Sequence, residues 1–178
     1  MKQIPVLLPL VILATIVAAD AAAQTTVILP DTSQTTGITV NIMEQATVTI
    51  PSSAFFTVSN INTQTTSMPL TVSIGALMQT TTSTGVRISL KANTALFTPP
   101  QAGAPTWSAS DVSWLAANWT GATGSAGTLS NAAFTTVAAC GIVGCSTNAL
   151  VLTLAPKPTV TRSGAHTLVV TWKIESLQ

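Results

Sequence analysis

The chain has 178 residues, 47% of them hydrophobic and only 6% charged, with a formal net charge of +1. That length suits one domain. Arg87, Lys91, Lys157, Arg162 and Lys173 are scattered along the sequence, which argues against a nucleic-acid-binding surface, because phosphates are neutralised by clustered cations. Charge is far below the usual share of about 25%. The Thr, Ser, Ala and Asn that replace it repel neighbouring copies weakly, so self-association is favoured.

Residues 1–23 read as a cleaved signal peptide. Met1-Lys2 supplies the positive start and Ile4 to Ala19 the apolar run. Ala21-Ala22-Ala23 supplies the small residues before a cleavage expected between Ala23 and Gln24, with Ala21/Ala22 as the other option. The run is short, interrupted by Pro5 and Pro9 and followed by Asp20, which suits a signal better than a span of about 20 apolar residues. The membrane is then met only during export, and the mature protein is expected to be secreted or at the cell surface.

Residues 24–37 read as a short N-terminal strand and a polar linker, with Pro30-Asp31 ending the strand and Thr32 to Gly37 forming the linker. The rest, 38–178, is expected to fold as one domain. Ile38, Val40 and Ile42 alternate with Thr39 and Asn41, and Ala46, Val48 and Ile50 with Thr47 and Thr49. Successive side chains of a strand point to opposite faces, so each run predicts one buried and one wet face. Leu70, Val72 and Ile74 repeat the pattern. Val86, Ile88 and Leu90 against Arg87, Ser89 and Lys91 make the cleanest case.

Asn93 to Pro105 carries Pro99-Pro100 and is excluded from a sheet interior. Ser110 to Leu115 predicts a short helical turn capped by Ser110 or Asp111. Leu129 to Ala139, then Leu150 to Leu154, then the last run from Ala165 predict further strands. In that last run Leu168, Val170, Trp172 and Ile174 share one parity. The sum is an all-β chain: a single antiparallel β-sandwich of about eight or nine short strands.

Cys140 and Cys145 are expected to form a disulfide across Gly141-Ile142-Val143-Gly144, pinning a hairpin tip. The entropic account gives such a small loop about 2 kcal/mol. Chemistry-bearing groups are sparse. His166 is the only imidazole and reads as a hydrogen-bonded strand-end residue. No catalytic set, metal site or cofactor is expected. Trp107, Trp114 and Trp119, near Asn118 and Asp111, are candidates for an aromatic platform for glycans; core packing competes with that reading.

Val27, Leu29, Ile38, Val40 and Ile42 are candidates for a donor strand that pairs with a neighbouring copy's sheet edge. The competing reading is an ordinary first strand of the same domain. Ser163-Gly164-Ala165-His166-Thr167-Leu168-Val169-Val170-Thr171-Trp172 resembles the closing strand of secreted bacterial pilin-like and spore-coat-U-like β-sandwich subunits. The resemblance implies a structural subunit of an extracellular fibre, pilus-like filament or surface layer, with copies of itself as partners. The chain departs from that pattern in its single late cysteine pair and its lack of tyrosine, and no binding residue carries over.

Overall fold

The computed structural model describes residues 37–178. The expected signal peptide, Val27 and Leu29 lie outside the described residues. The chain divides into two compact units, Met1–Val40 and Asn41–Gln178. The second begins three residues later than the domain expected from sequence.

The second unit is an all-β fold. Its strands are β1 (Gln45–Thr49), β2 (Thr65–Thr66), β3 (Leu70–Met78), β4 (Gly85–Ala92), β5 (Val112–Trp114), β6 (Ala122–Gly124), β7 (Gly127–Thr128), β8 (Thr135–Cys140), β9 (Cys145–Leu150), β10 (Leu152–Leu154) and β11 (Val170–Leu177). Every pairing is antiparallel. One sheet has the order β11-β4-β8-β6; two others have the orders β1-β3-β9 and β2-β10-β5-β7. Only Val151 separates β9 from β10, so the chain passes directly between these last two sheets.

All three sheets feed one core. Val86, Ile88, Leu90 and Val137 come from the first, Leu70, Val72, Ile74 and Leu150 from the second, and Val112, Trp114 and Leu154 from the third. Val86, Ile88 and Leu90 are at most 3% exposed, while Arg87 is exposed, as the alternation requires. Ser89 is also buried, beside an irregularity in the β4–β8 register. Strand β11 keeps the expected parity, but Val170, Trp172 and Ile174 are only half-buried. It is an edge strand with β4 on one side, so part of its inner face lacks cover.

The helical turn is shorter and earlier than expected. A single 3-10 turn spans Ala109–Asp111, with Ser108 at its N-cap. Asp111 accepts a 2.7 Å bond from the Ser108 backbone N–H. Val112–Trp114 then continues as a strand because these residues pair with β10 and bury their alternate side chains.

The N-terminal alternation fails to give a buried face. Every residue from Gly37 to Ile50 is exposed, including all of β1. Strand β1 pairs with Ser73–Met78, the far half of β3, where burial fades after Ile74. Among the described residues no second layer covers that extension. Just before β1, the Glu44 carboxylate accepts bonds from the Thr80 backbone N–H (2.9 Å), the Ser83 hydroxyl (2.7 Å) and the Ser176 hydroxyl (2.9 Å). This ties the incoming chain to the β3–β4 turn and to β11. The Thr80 N–H, followed by the two hydroxyls, holds the Glu44 pKa at about 2.

Cys140 and Cys145 form the expected disulfide, with their Cα atoms 5.5 Å apart. Its place corrects the hairpin expectation. Cys140 ends β8 in one sheet and Cys145 opens β9 in another, so the bridge staples a crossover between sheets. Gly144 makes the crossover possible. Its φ is +89°, and a Cβ there would lie 2.3 Å from the Ile74 carbonyl oxygen. A formed bridge of this kind belongs to an oxidising extracellular or periplasmic environment. No helix among the described residues is long and apolar enough to cross a membrane.

Candidate functional site

The sandwich is open along one side. A groove of about 1120 Å³ runs into the core, slightly above the range usual for ligand-binding clefts, about 300–1,000 Å³. Its lining has three sources. One is the irregular stretch between β1 and β2, with Pro51, Phe56, Val58 and Ile61. Another is the chain before and within β11, with Val160, Leu168, Val170 and Trp172. Leu90, Phe97, Trp107, Val112, Trp114 and Leu154 supply the core side.

The residues that shape this groove are held by polar contacts around it. The Asp111 carboxylate and the Lys157 ammonium meet at 2.7 Å. The Ala155 N–H donates to the Asp111 carbonyl, and the Lys157 N–H to Ile61, both at 2.8 Å. These contacts fix the segment that delivers Val160. Burial alone would raise the Asp111 pKa, but the Lys157 and Ser108 hydrogen bonds outweigh it, and the net shift is downward.

His166 sits on the lining with both ring nitrogens engaged. Nδ1 is 2.7 Å from the Thr106 hydroxyl, and Nε2 is 3.2 Å from the Arg162 carbonyl. A carbonyl can only accept, so Nε2 donates to Arg162, while the Thr106 hydroxyl can serve Nδ1 as either donor or acceptor. The ring also packs edge-on against Trp107, with centroids 5.2 Å apart. His166 therefore pins the chain leading to β11, as a strand-end histidine should.

The tryptophan platform does not assemble. Trp107 and Trp114 are 5% and 2% exposed. Their indole N–H groups donate to the Ala155 and Ser125 carbonyls, each at 3.0 Å. Trp119 is partly buried, does not line the groove, and has no hydrogen-bond partner for its buried Nε1. The reason is packing: β5 turns Trp114 inward beside Val112, and the bond to Ala155 anchors Trp107 in the core. Trp172, expected only as a strand residue, joins Trp107 and Trp114 in the groove lining instead.

The donor-strand candidates have a different fate. Ile38, Val40 and Ile42 lie in irregular chain, not in a strand, and are 89%, 78% and 68% exposed. Met43 beside them is 81% exposed. An apolar alternating run thus stands without cover in a chain that also carries an open apolar groove. Comparison of the chain with protein-family models, with curated proteins and with solved structures gave no match.

Proposed function

We propose that this protein is a secreted structural subunit that self-associates by β-strand addition. The observation that carries the reading is the coexistence of an open apolar groove of about 1120 Å³ and an exposed run of alternating apolar residues, Ile38, Val40 and Ile42. One copy's run enters the groove of the next and pairs along the edge of β11 that no other described strand occupies. Backbone N–H and C=O groups of that edge supply the hydrogen bonds, and every second side chain fills the cleft. Val170 and Trp172, half-buried in the single chain, become fully covered. Burying three such aliphatic side chains is worth roughly 1.5–3 kcal/mol each, before the cost of ordering the segment.

Low charge supports the same reading, since copies carrying few charges repel one another weakly. The disulfide, which belongs to an oxidising compartment, fits export. The products would be extracellular filaments or a surface layer. The test is sedimentation and electron microscopy of the mature protein beside I38D/V40D/I42D. Wild-type filaments or ladders of oligomers, with a folded monomeric triple variant, are expected. A wild-type chain that stays monomeric at high concentration would refute the reading.

A further inference from the structure

Three of the five cations in the described sequence, scattered along the chain, come together in space. Arg87 and Lys91 of β4 and Lys173 of β11 lie at alternate positions on the outer side of one antiparallel ladder. Lys173 stands opposite Ser89, and Lys91 opposite Thr171. The two lysines are therefore diagonal neighbours, with Cα atoms about 7–8 Å apart. Both ammonium groups approach the same ring: Lys91 Nζ is 5.7 Å and Lys173 Nζ 5.6 Å from the centroid of Phe134, which is 40% exposed. Glu175 is the acid on this ladder, and it is shared by Arg87 at 3.5 Å and by Lys173. Among the described residues, Lys91 has no carboxylate within salt-bridge distance. Three positive charges against one negative leave this face with an excess of two.

We propose that this outer face, built from Arg87, Lys91, Lys173 and Phe134, binds an acidic polysaccharide whose carboxylates bridge the two lysines. Three features select this partner. Between its cations the face carries Thr136, Ala139 and Thr171, and its aliphatic side chains, Val169 and Leu177, stand apart at the two ends of β11 and form no single patch, which gives a lipid bilayer little to insert. Three cations fall well short of the six to ten phosphate contacts common in strong nucleic-acid binding. A half-exposed aromatic ring flanked by hydroxyls and ammonium groups suits the apolar face, hydroxyls and carboxylates of a uronic-acid sugar. Like charges held at one ring also leave a positive field that a polyanion relieves. The inference is independent of strand addition, since this face lies on the opposite side of the sheet from the core.

The experiment measures binding of the purified full chain to alginate, a polyuronate, beside neutral dextran, phosphatidylglycerol vesicles and duplex DNA. K91Q/K173Q tests the face, and R162Q, which removes one charge elsewhere, tests for a general charge effect. Expected are salt-sensitive alginate binding, no dextran binding, a loss of at least about tenfold in K91Q/K173Q, and R162Q close to wild type. Absence of alginate binding, an unchanged double variant, an equal loss in R162Q, or tighter binding to vesicles or DNA would each overturn the proposal. Circular dichroism of both variants confirms that the sheet is retained.

Discussion

Residues Val86, Ile88 and Leu90 and residues Ile38, Val40 and Ile42 carry the same period-two apolar pattern and meet opposite fates. The first set lies at the centre of a four-stranded sheet and is at most 3% exposed. The second lies in irregular chain and is at least 68% exposed. Alternation makes a segment fit to be a strand with two unlike faces. It does not supply the opposing layer that turns an apolar face into a buried one. β4 has β11 and β8 as neighbours and a second layer above it. The N-terminal run has neither among the described residues, and this shortfall is what the strand-addition proposal turns on.

The comparison is broken most directly by truncating both runs. Ile88→Ala, at a site with no solvent exposure, is expected to cost about 2–5 kcal/mol in denaturant unfolding. Val40→Ala in the monomer should stay within about 0.5 kcal/mol of wild type. Equal costs would mean that the N-terminal run is packed in the free chain.

Glycines sharpen the same contrast. Gly144→Ala forces a left-handed backbone and a clash with the Ile74 carbonyl, and is expected to cost at least about 1–3 kcal/mol. Gly37→Ala has open space around it and should be nearly neutral by the same melt. Removing the disulfide as C140S/C145S should cost about 2 kcal/mol on the loop-entropy account. Intact mass before and after reduction, with one added pair of hydrogens, checks the bridge itself.

The smallest effect concerns the junction between the two regions. Glu44 has its pKa lowered from 4.5 to about 2 in the folded chain. A depressed carboxylate pKa contributes stability that is present above the unfolded value and lost as pH falls through the folded one. Wild-type protein should therefore lose a small increment between about pH 4.5 and pH 2, which Glu44→Gln lacks at every pH. Thermal melts across that window, with hydrogen exchange at Thr80, read the difference.

Much of the sheet was legible in advance. The β4 alternation, the inner parity of β11 and the cysteine pair all follow from near neighbours in sequence. The β-branched and hydroxyl-rich runs suit pleated, half-buried surfaces. Other features were not legible because they join distant segments. The disulfide links two sheets rather than one hairpin, since β8 pairs with β4 and β6 while β9 pairs with β3. Trp107 and Trp114 were drawn inward by backbone acceptors at Ala155 and Ser125, so proximity in sequence to Trp119 built no platform. Arg87, Lys91 and Lys173 look scattered in the sequence because the β4–β11 register that gathers them joins residues about 80 to 90 positions apart.

Side-chain period and turn chemistry by themselves determined that this chain is a β protein, and two cysteines five positions apart determined where it is stapled. Which apolar faces would be covered was decided only by the tertiary structure. Burial needs a second surface, and among the described residues the layers close over β4 while the side chains of the run before β1 stay exposed and part of the inner face of β11 stays only half-buried.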